Sequence, residues 1–326
     1  MEHNKLEELV EPVKPDLEQF DKRMAEFLTG DSPLISAVAR HLVENRGKRI
    51  RPAFMFLLGH AAGIDNKHYI DASLSIELIH TATLLHDDVV DNSDTRRGTE
   101  TVNYKWTNLI SVLMGDYLFA KAFRLMVNTG SIELISAISR ATERVSIGEL
   151  RQVEETSNYD LSEEEYLKII ADKTASLFAV SCETVPILAK MNGDDRKRFA
   201  RFGEGIGVAF QIADDLLDYT GDVKVTGKEP GMDVINGKVT LPLIYTLRNG
   251  DKAKSQEILH ILGNGIGEGG FKKIRNYITE SGGIDYAQRR AAEIADQAAE
   301  SVRSLDRNIY QQSLMAMVDF STSRLS

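Results

Sequence analysis

The sequence predicts an all-α fold, one domain over residues 1–326 built from ten or more helices. Three observations carry that reading. Apolar residues recur at three- and four-residue intervals over long segments, the spacing of amphipathic helices. Only seven prolines interrupt the chain, and almost none lie in its middle. Alternating apolar and polar residues, the mark of half-buried strands, are scarce.

The helical segments fall at roughly 68–90, 104–127, 131–156, 162–189 and 193–220. Several are apolar around most of their circumference, which suits a bundle with buried central helices. Loop signals cluster at 28–33, 63–68, 91–100 and 221–240. Asn-Gly pairs at 192–193, 236–237, 249–250 and 264–265 could turn hairpins, but their flanks read as helix. They are therefore read as helix ends and loops. Gly265-x-Gly267-x-x-Gly270 has the spacing of a dinucleotide fingerprint, yet it follows a helical pattern and is read as a loop. No Pro/Gly/Ser-rich linker and no repeat of 20–50 residues divides the chain.

Composition excludes several classes. A chain of this length buries roughly three-quarters of its unfolded surface in one large domain. With 39 basic and 49 acidic residues the net charge is −10, which argues against a nucleic-acid partner. An anionic substrate would need local cations or bridging metal ions. Cys182 is the one cysteine, so no disulfide framework is possible and a reducing, cytoplasmic setting is expected. No secretory signal is expected in the acidic N-terminal stretch, and no apolar run reaches the ~18 residues of a membrane span.

The sharpest feature is Leu84-Leu85-His86-Asp87-Asp88-Val89-Val90-Asp91, closing an apolar helix that starts near Tyr69. Asp87 and Asp91 share a helix face, with Asp88 about 100° round. Carboxylates at a helix C-terminus oppose its dipole and repel one another, so the arrangement is costly unless cations arrive. The pattern then recurs as Gln211-Ile212-Ala213-Asp214-Asp215-Leu216-Leu217-Asp218. Two facing clusters would offer six carboxylates, Asp87, Asp88, Asp91, Asp214, Asp215 and Asp218, to a hard divalent cation. Mg²⁺ suits them, because it keeps waters and uses a few carboxylates together with substrate phosphates.

Basic residues follow each cluster. Arg96 and Arg97 sit just past Asp91, and Lys224, Lys228 and Lys238 follow Asp218. Gly47-Lys48-Arg49-Ile50-Arg51-Pro52 forms a further basic knot. Arginine forks match phosphate oxygens in pairs and lysine adds a point charge. Beside two metal clusters, these residues read as clamps for one or two diphosphates.

These motifs resemble the trans-type isoprenyl diphosphate synthases, or polyprenyl synthetases. The likeness rests on Gly47-Lys48-x-x-Arg51-Pro52, Leu84-Leu85-His86-Asp87-Asp88-x-x-Asp91 with Arg96-Arg97-Gly98, Asp172-Lys173-Thr174-Ala175, Gly207-x-x-x-Gln211-x-x-Asp214-Asp215-x-x-Asp218 and Gly227-Lys228. They span about 45–240 in order. The resemblance implies an all-α isoprenoid synthase fold with a deep central cavity, usually homodimeric. It implies two or three Mg²⁺ ions and a reaction joining isopentenyl diphosphate to an allylic prenyl diphosphate. Arg96, Lys173 and Lys228 would hold the allylic diphosphate, with Lys238 a further candidate. Lys48, Arg51, His80 and Arg97 would hold isopentenyl diphosphate without metal. Thr174 and Gln211 carry oxygens that would face the carbocation, where fixed dipoles favour positive charge. No side-chain base is evident; in this family the released diphosphate is thought to take the proton. Closing the 221–240 loop would keep out water.

Short-chain members of that family place a bulky aromatic four or five residues before the first aspartate cluster. Here Thr83 and Ala82 stand there, both small. They leave room for a growing tail alongside a helix of ~34 Å. Phe123 is the candidate floor. A medium-to-long product is expected, octaprenyl (C40) ahead of C35 or C45, of the kind that becomes a quinone side chain. Loose membrane association would help deliver such a lipid.

Other readings compete. Glu77-x-x-His80 and Glu257-x-x-His260 match the ligand pair of di-iron bundles, but that leaves both aspartate clusters unused. A class I terpene cyclase shares the first aspartate motif but needs no isopentenyl diphosphate site. A non-catalytic partner subunit of a heteromeric synthase would be expected to lack aspartates that are intact here.

Overall fold

The computed structural model describes residues 2–30, 32–45, 47–96, 98–221, 230–267 and 269–323. Among them the elements are helical, apart from one antiparallel pair of two-residue strands, Thr95–Arg96 with Thr99–Glu100. No helix among the described residues is long and apolar enough to cross a membrane. The chain forms two compact units. The first comprises 1–142, 179–200 and 302–316; the second comprises 143–178, 201–301 and 317–326.

The helices are α1 (Glu2–Val10), α2 (Lys14–Phe27), α3 (Pro33–Glu44), α4 (Ile50–Ala61), α5 (Tyr69–Val90), α6 (Val102–Lys105), α7 (Asn108–Asn128), α8 (Ile132–Glu154), α9 (Glu163–Ile170), α10 (Ser176–Leu188) and α11 (Gly193–Thr220). Helices Met232–Ile235, Leu241–Asn249, Lys252–Gly263, Gly270–Glu280, Gly283–Glu300 and Ile309–Ser323 follow. Two expectations are corrected. The segment read as one helix over 104–127 is α6 and α7, because Thr107 is extended and its side chain caps α7 by accepting from the Ile110 N–H. The segment read as one helix over 162–189 is interrupted by a π-helical turn, Ala171–Ala175.

In the first unit α5 is the central helix, packed against α2, α4 and α7. Every residue from Ala72 to Ile79 is buried, which explains a sequence apolar on all sides. The helix ends where the Asp91 N–H closes on the Asp87 carbonyl. Asn92 then turns the chain at φ 49°, a conformation asparagine tolerates. Helix α7 buries Ser111, Met114, Leu118, Ala122 and Leu125 and exposes Leu109, Leu113, Phe123 and Val127.

In the second unit the core gathers Ile212, Leu216 and Tyr219 of α11 with Tyr166, Ile169 and Ile170 of α9. Leu241 and Ile244, then Ile274 and Ile278, then Ala287 and Ala291, close it. Helix α9 starts on a capping box in which Ser162 and Glu165 satisfy each other's backbone N–H groups. The Asn-Gly pairs, like Gly265, Gly267 and Gly270, lie at helix ends and in loops, not hairpins.

Candidate active site

The first aspartate cluster occupies the last turn of α5. Asp88 is buried, Asp87 half-buried and Asp91 exposed. Arg96, on the two-residue strand that follows, donates from Nε to Asp88 Oδ1 at 2.8 Å. A cleft of about 80 Å³ opens beside this pair, bordered by Gly47, Arg49, Glu77, His80, Asp88 and Arg96. The structure thus brings His80, Asp88 and Arg96 to one place. Lys48 is exposed and Arg51 half-buried on the chain next to Arg49. Arg97 lies outside the described residues.

Glu77 is not a metal ligand waiting for iron. Its carboxylate accepts from Arg49 Nη1 at 2.9 Å. Glu257 and His260, the other half of the di-iron pattern, are exposed.

The second cluster lies in the final turns of α11. There Asp214 is exposed, Asp215 buried and Asp218 half-buried. The three carboxylates differ because the helical period sends Asp215 into the core with Ala213 and Leu216 and leaves Asp214 outside. Asp215 accepts from the Tyr166 hydroxyl at 2.6 Å and from Gln211 Nε2 at 2.7 Å. The Gln211 amide is thereby fixed, and its Oε1 accepts from the Thr174 hydroxyl at 2.7 Å. Burial, with the Asp233 charge adding to it, pushes the Asp215 carboxyl up to about 7. Burial likewise pushes Asp218 up to about 6, against the backbone N–H groups that its oxygens accept from Met232 and Asp233.

A cleft of about 120 Å³ is bordered by Tyr166, Lys173, Thr174, Gln211, Asp215 and Lys238. Lys173 is paired with Glu149 at 2.5 Å, and Lys238 stands 3.6 Å from Asp233. Lys224 and Lys228 lie outside the described residues.

Lys173 and Thr174 ride on the π-helical turn, and two glycines explain how neighbouring helices reach it. A Cβ at Gly148 of α8 would collide with the Lys173 backbone, and one at Gly207 of α11 would stand 2.5 Å from the Ala175 Cα. Asp172, at the head of the turn, accepts from Arg144 Nε at 2.7 Å and from Arg151 Nη1 at 3.1 Å. Turns of this kind recur at functional sites because they displace side chains from the regular helical path.

The chain-length positions separate. Ala82 is fully buried on α5, and Thr83 is half-buried with its hydroxyl donating to the His80 carbonyl. Phe123, expected to close a tunnel, is 51% exposed. It falls on the face of α7 shared with Leu113 and Val127, so it does not form an enclosed floor within this chain.

Sequence reasoning missed Tyr166, Glu149, Arg144 and Gly148. Only Gly148 carried a signal, since an isolated glycine inside a helical pattern marks a close approach. Cys182 is buried, and burial pushes its thiol far above the usual range, as suits an inert core residue.

The donor set fits a hard cation. The outward-facing members of both clusters are carboxylates, with no thiolate or imidazole among them. Among the described residues no three His, Cys, Asp or Glu side chains already converge on one point. Carboxylate oxygens are the donors a hard cation such as Mg²⁺ takes a few at a time, completing its shell with water and phosphate.

Comparison with known proteins places these motifs. Residues 32–278 match the polyprenyl synthetase family model. Octaprenyl diphosphate synthase of Haemophilus influenzae is 34% identical over 319 residues, covering 98% of this chain and 97% of the relative. The all-trans-nonaprenyl-diphosphate synthase (geranyl-diphosphate specific) of Rhodobacter capsulatus is 36% identical, covering 98% of each chain. Among solved structures, a Caulobacter crescentus polyprenyl synthase complexed with calcium and isoprenyl diphosphate superposes with a TM-score of 0.92 at 35% identity, covering 98% of each chain.

Proposed function

Since the chain belongs to the polyprenyl synthetase family, we propose that it joins isopentenyl diphosphate to an allylic diphosphate such as farnesyl diphosphate, repeatedly, to give octaprenyl (C40) diphosphate. The fold is the all-α isoprenoid synthase fold, and the protein is a medium- to long-chain all-trans polyprenyl diphosphate synthase. In this reading the whole chain works as one catalytic domain. The family is metal-dependent, and the ion proposed here is Mg²⁺, two or three per site, held by Asp87, Asp91 and Asp214. When bound, Mg²⁺ would neutralise the diphosphate leaving group as a Lewis acid.

The protein's own groups do the rest. Arg96 and Lys173 hold the allylic diphosphate, with Lys238 beside them. Lys48, Arg51 and His80 hold isopentenyl diphosphate. Arg97 and Lys228 complete these two sets. As the allylic C–O bond breaks, the Thr174 and Gln211 oxygens face the developing positive charge. The double bond of isopentenyl diphosphate forms the new C–C bond, and a proton leaves to the released diphosphate. Asp88, Asp215 and Asp218 serve mainly by fixing neighbours, since each already holds a protein donor.

The observation that carries this reading is the hydrogen-bonded run Thr174–Gln211–Asp215, beside Lys173 and Lys238 in one cleft. It joins oxygen dipoles suited to a cation with ammonium groups suited to a diphosphate. The small residues Ala82 and Thr83 support a long product, as do the octaprenyl and nonaprenyl relatives. The exposed apolar stripe on α7 (Leu109, Leu113, Phe123 and Val127) supports a homodimer. Incubation with farnesyl diphosphate and labelled isopentenyl diphosphate, followed by chromatographic sizing, tests the product. A C40 peak is expected, and a product no longer than C20 would overturn the long-chain reading.

A further inference from the structure

Arg49 has a left-handed backbone, φ 52°, at the N-cap of α4. A long side chain adopts that conformation only where its surroundings hold it there. Here four contacts do. Nη1 donates to Glu77 Oε1 at 2.9 Å and Nε to Asp21 Oδ1 at 3.1 Å. Nη2 faces the Met24 sulfur at 3.1 Å, and the guanidinium lies over the Phe20 ring at 5.3 Å. Arg49 is 8% exposed and Glu77 6%. Charges so buried persist only as partners, and removing either leaves the other stranded.

The neighbours of Arg49 do not share its burial. Lys48 is exposed, and Arg51 is half-buried. The reversed backbone therefore sinks one cation of the basic knot into the fold and leaves those on either side of it closer to solvent. Glu77 lies one turn before His80 on α5, and its carbonyl accepts from the Thr81 hydroxyl. Gly47, Arg49, Glu77 and His80 border one cleft. The buried ion pair thus ties Lys48 and the first turn of α4, which carries Arg51, to the turn of α5 that carries His80.

We propose that Arg49 and Glu77 are a positioning pair for the isopentenyl diphosphate subsite, fixing Lys48 and Arg51 relative to His80; this rests on the function proposed above. Arg49 does not bind the substrate itself, because its Nε and one terminal nitrogen are already taken by carboxylates. Three cationic or imidazole groups must meet one diphosphate together, so a loosened loop weakens that substrate and spares the allylic one.

The test compares wild type with Glu77→Gln and Asp21→Asn. Wild type is assayed first: if it does not elongate farnesyl diphosphate, the functional reading falls and the pair is not what failed. With an active wild type, Glu77→Gln should raise the KM for isopentenyl diphosphate ~10-fold and leave the allylic KM and kcat within ~2-fold. Titration calorimetry with isopentenyl diphosphate alone, in chelator, should show the same ~10-fold loss of affinity. Asp21 is more exposed, so Asp21→Asn should fold readily and weaken isopentenyl diphosphate ~3-fold. Unchanged affinity for isopentenyl diphosphate, or an equal rise in both KM values, would overturn the pair. Should Glu77→Gln not fold, Asp21→Asn decides alone by the same criteria.

Discussion

Tyr166 donates its hydroxyl hydrogen to Asp215 across 2.6 Å, both groups being buried, and Asp215 in turn accepts from the Gln211 amide. This chain decides which way the amide points. With Nε2 committed to Asp215, the Gln211 oxygen is the end left for Thr174 and for the developing cation. Tyr166→Phe deletes one donor and frees the carboxylate to rotate. We expect kcat to fall roughly tenfold, about 1.4 kcal/mol of barrier, with both KM values within twofold. Steady-state kinetics on the folded variant checks it; an unchanged kcat would remove Tyr166 from the account.

The acidic pair also predicts a pH dependence. Burial raises the Asp215 carboxyl to about 7 and that of Asp218 to about 6, from an unfolded value near 4. A carboxyl raised in the folded state is held protonated by the fold. Its contribution to stability is fully present below about pH 4 and is lost as pH rises through about 7. Asp215→Asn keeps a neutral group at every pH and escapes that loss. In metal-free buffer the Tm of Asp215→Asn, relative to wild type, should therefore rise from pH 4.5 to 7.5. A constant difference in thermal melts across that range would show that Asp215 ionises normally.

Ala82 has no exposed surface, and it lies about one turn before Asp87 on α5. If the product tail runs along this helix, Ala82→Phe places a ring in its way. The product should shorten to about C15–C20 while initial isopentenyl incorporation continues, as read by reverse-phase sizing of labelled chains. An unchanged product distribution would move the tail elsewhere. Overpacking costs typically 1–3 kcal/mol, so a lowered Tm is expected alongside.

The face of α7 bearing Leu109, Leu113, Phe123 and Val127 follows helical spacing, so it is one stripe rather than scattered exposure. We expect it to be covered by a second copy of the chain. Leu109→Lys with Leu113→Lys should shift the mass in solution from dimer toward monomer, as light scattering after size exclusion would show. A wild-type monomer at micromolar concentration would refute the interface.

Much of this was legible in the sequence, and the limits have physical reasons. Helices α8 and α11 declared themselves because burial on one face writes a period, and α5 because a long apolar run without proline reads as a buried helix. The aspartate clusters were legible because like charges at a helix end are costly and occurred twice. The split at Thr107 was not, since one capping hydroxyl carries too little signal inside an apolar run. The π-helical turn was equally hidden, because the residues packed against it, Gly148 and Gly207 among them, lie far along the chain. Roles within the clusters were partly hidden for the same reason. Asp88 and Asp215 are set apart from Asp87 and Asp214 by deeper burial, and Tyr166, which donates to Asp215, is a residue that no local pattern names. Phe123 reads as a tunnel floor in the sequence because an apolar residue on an apolar helix looks the same whether it is enclosed or exposed.

In the function proposed above, cations held by Asp87, Asp91 and Asp214 make diphosphate a leaving group. The most direct measurement is single-turnover formation of the first elongated product from farnesyl diphosphate and labelled isopentenyl diphosphate, with Mg²⁺ and then with excess chelator. Product should form with Mg²⁺, vanish in chelator and return when Mg²⁺ is restored. Turnover that continues unaltered in chelator would contradict that role for the cations.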